Sequence, residues 1–152
     1  MQSISVATRA FFDADGWPYD EADDPAVLEL GFEGPNGSWT CYADCRDEAR
    51  QLLFYSILDE SVDEHGRTTM AEFLTRANYG LGIGNFELDF NDGEVRFKTS
   101  IDVGTTELDA ESIRRLTYLN VGTMNQYVPA IREVMEGNLD PEAAVAMAEL
   151  NA

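Results

Sequence analysis

The chain has 152 residues, 44% of them apolar, which suits one domain with a sizeable core. Its 29 acids stand against ten bases, giving a formal net charge of -19, with Lys98 as the sole lysine. Such a surface repels nucleic-acid backbones and anionic membranes, so proteins are the expected partners, not nucleic acid or membrane. No apolar run approaches the ~20 residues of a membrane span, and no basic-then-apolar leader opens the chain, so a cytoplasmic address is expected. The acidity has two readings. It serves solubility, or it is adaptation to a salty cytoplasm, where a Debye length of ~3 Å at 1 M salt screens the repulsion.

Ser3 to Asp13 carries Ile4, Ala7, Phe11 and Phe12 at helical spacing, and Gly16 stops the helix. Trp17-Pro18-Tyr19, followed by Asp20 to Pro25, breaks the periodicity and reads as an acidic loop whose aromatics anchor it to the core.

Leu28, Leu30 and Phe32 alternate with Glu29, Gly31 and Glu33. After the turn Gly34-Pro35-Asn36-Gly37, Trp39, Cys41 and Ala43 do the same, so a hairpin pairs Phe32 with Trp39 and Leu30 with Cys41. Cys41 and Cys45 fall on one face of that strand, roughly 13 Å apart along it, too far to bond to each other. Buried reduced thiols are expected.

Gln51 to Leu58 is apolar on both faces, which indicates a third strand covered on both sides. Pairing Ala43 with Leu52 and Cys41 with Phe54 leaves Leu53, Tyr55 and Ile57 on a face that the preceding strands make polar. The cover could be a helix of the same chain, a second copy or a partner segment.

Asp59 to Arg67 reads as a polar loop holding the one histidine, His65. Thr69-Met70-Ala71-Glu72 has capping-box spacing and begins a helix with Met70, Phe73, Leu74 and Ala77 on one face, ending near Asn78 to Gly80. Phe86, Leu88 and Phe90, then Val95, Phe97 and Thr99, alternate on either side of Asn91-Asp92-Gly93. A two-residue Asp92-Gly93 turn sets Phe90 against Val95 and Leu88 against Phe97, with Asp89 meeting Arg96 and Glu87 meeting Lys98.

Leu108 and Ile113 flank Asp109 as a hydrophobic staple around an N-cap, opening the longest helix. Its stripe, Ile113, Leu116, Met124, Tyr127, Ile131 and Val134, is interrupted by Asn120, Gly122 and Pro129, and Gly137 ends it. Asp140-Pro141-Glu142 starts a short Ala-rich helix to about Leu150. The order α-β-β-β-α-β-β-α-α, with strands and helices in blocks, indicates an α+β fold with an antiparallel sheet.

Chemistry is sparse. Gly80-Leu81-Gly82-Ile83-Gly84 follows a helix and enters a strand, the reverse of a phosphate loop. Asp89 to Gly93 opens like a calcium loop, but position five is glycine and position twelve is Ser100, where a bidentate acid is required. One histidine and two strand-spaced cysteines make a closed zinc site hard to assemble, and no Gly-x-Ser-x-Gly elbow occurs. No catalytic residue, cofactor site or metal site is assigned, and an enzyme is not expected.

At Leu52 to Ser56, Glu72 to Leu81, Gly84 to Asp89, Gly93 to Lys98 and Val121 to Asn125 the sequence resembles the YbjN-domain family, over about Trp17 to Glu149. The resemblance implies one YbjN-like domain over residues 1–152. It also implies a fold like that of type III secretion chaperones, small, commonly dimeric α+β proteins that bind segments of other proteins. Members have been called sensory-transduction regulators or peptide-binding chaperones. The expected function is therefore a non-enzymatic protein- or peptide-binding module, with Leu53, Tyr55 and Ile57 as its surface and Tyr42 beside them. Homodimerisation is expected through the Met70 to Tyr79 helix and its neighbouring hairpin. The alternative is a small-molecule-responsive regulator with a pocket between long helix and sheet near Asn78, Asn85, Asn120 and Asn125.

Overall fold

The structure, a computed structural model, describes residues 1–151. Helix α1 (Ile4–Asp15) is capped by Ser3, whose Oγ accepts the Val6 N–H at 3.1 Å, and ends at Gly16 with φ 73°. Three strands follow: β1 (Tyr19–Glu21), β2 (Val27–Gly34) and β3 (Gly37–Arg46). Next come β4 (Gln51–Ile57), a single 3-10 turn at Glu64–Gly66 and α2 (Arg67–Gly80). The chain closes with β5 (Asn85–Leu88), β6 (Val95–Asp102), α3 (Ala110–Met135) and α4 (Pro141–Leu150). The fold is α+β, in the expected order of blocks.

All strands are antiparallel, in the order β1-β2-β3-β4-β6-β5. The helices pack on one side of this sheet. Ile4 and Phe12 of α1, Phe73 of α2, and Ile113, Met124 and Ile131 of α3 are fully buried, in one cluster with Leu28, Cys41, Leu52, Phe54 and Phe97 from the strands. Asp109 caps α3 by accepting the Ser112 N–H at 2.7 Å, with Leu108 and Ile113 buried on either side as the staple requires. Asp140 likewise accepts the Ala143 N–H at 2.8 Å, with Pro141 in the first turn of α4.

The β2–β3 hairpin has the expected register, Phe32 opposite Trp39 and Leu30 opposite Cys41. Two other registers differ from expectation, each by two residues. Ala43 pairs with Phe54 and Cys41 with Ser56, because the turn is Asp47 to Arg50. Arg50 takes a left-handed φ of 59° there, and its guanidinium donates to the carbonyls of Gln2, Gly104 and Thr106. In the second hairpin Leu88 pairs with Val95 and Phe86 with Phe97. Its loop spans Phe90 to Gly93, closed by Asp89 N–H to Glu94 O at 3.0 Å and two Asx turns, Asn91 N–H to Asp89 and Glu94 N–H to Asp92. A shift of two keeps every side chain on its face, so the polar and apolar sides match in either register. Phe90, however, lies outside the ladder and is exposed.

Three further details correct the reading of the sequence. Tyr19–Glu21, in the expected acidic loop, adds an edge strand to β2. Helix α2 starts at Arg67 behind Gly66 with no side-chain cap, so the capping-box spacing at Thr69 is unused; the preceding 3-10 turn feeds directly into the helix. The polar loop after β4 is pinned by Val62, which is buried. Trp17 does anchor its loop, meeting Phe12 at 5.4 Å and Phe54 at 5.9 Å edge to face while its Nε1 donates to Gly31 O at 2.9 Å.

Candidate functional site

Side chains alternate across a strand, so the sheet has a second face, which lies opposite the helices. Four residues singled out from the sequence stand there together. Tyr42 of β3 is directly opposite Tyr55 of β4, and Tyr55 is opposite Lys98 of β6. Ile57 is opposite Arg96, and Leu53 lies between Asp44 and Ser100. None of the four belongs to the helix-covered core cluster. Of the covers considered for this face, a helix of the same chain is therefore not the one used. Leu53 is only 8% exposed, sheltered within this face, and the other three are half-buried.

The aromatic and aliphatic strip is flanked by charge held in place. The Arg96 guanidinium lies 4.4 Å from the centre of the Tyr55 ring, a cation–π contact. Its Nε donates to Glu87 Oε1 at 2.8 Å, and Lys98 Nζ donates to Glu87 Oε2 at 3.1 Å. Burial lifts the Glu87 carboxyl, but the bonds and charges of Lys98 and Arg96 outweigh it and hold the group below its ordinary value. On the other flank Tyr42 OH donates to Glu29 Oε1 at 2.9 Å, and this bond with a carboxylate raises the phenol. One anion thus gathers the cations at Tyr55, with Arg96 over its ring, so the apolar strip is set among fixed charges of both signs.

The four asparagines of the alternative pocket do not converge. Asn78 clamps one residue of β5, accepting the Phe86 N–H at 2.7 Å and donating to Phe86 O at 3.1 Å; Asn85 donates to the same carbonyl. Asn125 accepts the Asn36 N–H at 2.9 Å, at the turn between β2 and β3. Asn120 is fully buried and donates to Phe54 O, Phe97 O and Thr99 Oγ1, while its Oδ1 accepts from Ser56 at 2.6 Å. Each amide bonds a backbone or hydroxyl group within the fold, at places that share no common pocket.

The remaining reactive groups are also accounted for. Both cysteines are buried and free, and burial raises the Cys41 thiol to about 12 and that of Cys45 to about 11. His65 sits exposed in the 3-10 turn. Among the described residues no group of three or more His, Cys, Asp or Glu could hold a metal ion, and no helix is long and apolar enough to cross a membrane.

The fold and this face define an α+β protein whose single sheet is covered by helices on one side only. The chain belongs to the YbjN family: the model of that family, described as "Putative bacterial sensory transduction regulator", matches residues 9–133. In three dimensions the chain is similar to a solved structure described as "Crystal structure of YbjN, a putative transcription regulator from E. coli". The two share 17% identity and a TM-score of 0.56 over 86% of this chain and 87% of that one, a likeness of fold. No curated protein matches the sequence.

Proposed function

We propose that this chain is a non-enzymatic protein-binding module, chaperone-like or regulatory, which holds a segment of a partner protein on the uncovered face of its sheet. The observation that carries this is the strip Tyr42, Leu53, Tyr55 and Ile57, apolar side chains in the middle of the sheet with no helix of the chain over them. Aromatic anchors inside a polar rim are the arrangement that protein interfaces favour, because the anchors supply buried area and the rim sets register. The family description, a regulator, is compatible with a role exercised by binding. Buried, protonated thiols and a solvated histidine support the non-enzymatic part of the reading.

Self-association belongs to the same reading. Met70, Phe73, Leu74 and Ala77 of α2 are spent in the core, so the contact of that helix with a second copy would be its outward end, where Tyr79 is 96% exposed.

The test begins with affinity capture from the lysate of the source organism at cytosolic salt and mass spectrometry of what is retained. Titration calorimetry of each purified candidate follows, against wild type, Tyr55→Asp and Ile57→Asp, with circular dichroism to confirm folding. The expected result is a partner whose affinity falls by about tenfold or more in both variants, the effect of losing a buried anchor. Unchanged affinity in both would overturn the assignment of this face.

A further inference from the structure

β5 leaves the sheet early. Its pairing with β6 stops at Asn85 opposite Lys98, and in that register Ile83 would have met Ser100. Gly84 turns the chain away at φ 78°, where a Cβ would lie 2.7 Å from the Phe97 ring and 2.8 Å from Lys98 O. β6 itself continues to Asp102.

Backbone groups alternate sides along an antiparallel strand. Leu58 N–H donates to Val95 O, so odd-numbered residues of β6 address β4, while Asp89 N–H donates to Glu94 O, so even-numbered residues address the β5 side. Ser100 and Asp102 therefore aim N–H and C=O groups at an edge where no strand lies. Among the described residues none of these four groups has a hydrogen-bond partner. Such an edge is a template for a further strand. The opposite edge of the sheet is protected: β1 has three residues, two of them acids.

Beside the β6 edge runs a groove of about 460 Å³, with Ile101 on its strand wall, Leu116, Leu119 and Arg115 on its α3 wall, and Ile83 at its end. Arg115 is the cation that the fold leaves unused. Of the ten bases, seven make ion pairs, and Arg50 and Arg67 are bound to backbone carbonyls. Arg115 alone has neither among the described residues: Glu111, one turn back on α3, feels its charge but is bonded to Arg114 instead.

We infer that the Ser100–Asp102 edge of β6 takes a strand from another protein, an extended segment with apolar side chains at alternate positions and one carboxylate that meets Arg115. Each element has a source in the site. Free edge groups call for an extended backbone; a groove on one side of the sheet takes every second side chain; one unpaired guanidinium takes one carboxylate. A longer acidic run is disfavoured by the net charge of -19. The inference rests on the protein-binding reading above for its class of partner, but the surface is a different one.

The experiment is selection from a displayed library of random twelve-residue peptides against the full chain at about 0.15 M salt, followed by fluorescence polarisation with synthetic copies of the enriched sequences. Expected are peptides with β-branched or aromatic residues at alternate positions and an Asp or Glu. Their affinity should fall by about tenfold or more in Arg115→Glu, the loss of one charge-assisted bond, and as much when the peptide amides facing the edge are N-methylated. Ser100→Pro should abolish binding, and because the Ser100 N–H points outward this proline removes no bond to β4. If it does not fold, Arg115→Glu, an exposed substitution, and the N-methylated peptides carry the test. No enrichment, or binding indifferent to both, overturns the inference. Loss in Tyr55→Asp but not in Arg115→Glu assigns binding to the open face and rejects the edge. Loss in Arg115→Glu but not in Tyr55→Asp does the reverse.

Discussion

Asn125 and Asn36 clasp the first hairpin to the long helix through a carbonyl that Pro129 sets free. In a regular helix the residue four positions after Asn125 would donate its N–H to the Asn125 carbonyl, and proline has none. Asn36 Nδ2 donates to that carbonyl at 2.9 Å instead, and Asn125 Oδ1 accepts the Asn36 N–H at 2.9 Å. Arg132 adds a bond to Asn36 O at 2.9 Å. Asn36→Ala should destabilise the fold by about 1 kcal/mol, the usual net worth of such a bond. In a Pro129→Ala background, where the helix can take the carbonyl itself, the loss should be smaller. A double-mutant cycle by urea denaturation measures the difference.

Asn120 ties α3 to β4 and β6 from within the core. Asn120→Leu removes its donors and acceptor together and leaves the Ser56 and Thr99 hydroxyls without their amide partner in a buried site. We expect a loss of about 2–3 kcal/mol, read as a lower urea midpoint with an unchanged slope.

At Gly93 a Cβ would lie 2.2 Å from Val62 O, and the backbone has a φ of 81°. The obstacle is backbone, so it cannot rotate aside. Gly93→Ala should cost several kcal/mol, roughly 3 or more, from strain and from displacement of the Val62 segment that packs there. Thermal unfolding of the variant should begin well below that of wild type.

Asp47 holds the start of α1. It accepts the Ser5 N–H at 2.9 Å and the Ser5 hydroxyl. Burial raises its carboxyl, but these bonds and the Ile4 amide outweigh burial and hold it below the ordinary 3.8. A depressed folded value means that the contribution is complete above 3.8 and is lost as pH falls through the folded value. Asp47→Asn should therefore be less stable than wild type at neutral pH, with the gap closing below that range. Denaturation midpoints of both proteins from pH 7 to pH 2 check it.

With 29 acids and seven ion pairs among the described side chains, most carboxylates repel one another without compensation. Raising potassium chloride from 0.1 to 1 M shortens the Debye length from ~10 to ~3 Å and should raise the melting temperature. A flat or falling trend would leave solubility as the meaning of the acidity.

Periodicity and local stereochemistry already determined much of this protein. The alternation in Leu28 to Phe32 and Trp39 to Ala43, the caps at Asp109 and Asp140, and the two-sided apolar run Gln51 to Leu58 were enough to order the elements and to mark Tyr42, Leu53, Tyr55 and Ile57 as one face. These signals lie within a few residues of each other, where backbone geometry alone dictates the outcome. Which turn closes a hairpin was decided elsewhere. Arg50 is held by carbonyls more than forty residues away, and Gly93 by Val62, so both registers moved by a step of two that alternation cannot detect. The open edge at Ser100, and the lack of a closed ion pair at Arg115 beside it, likewise came from the tertiary structure. Whether a strand edge has a neighbour depends on contacts between distant parts of the chain, and which of two adjacent arginines a shared acid bonds depends on side-chain packing, neither of which a local pattern encodes.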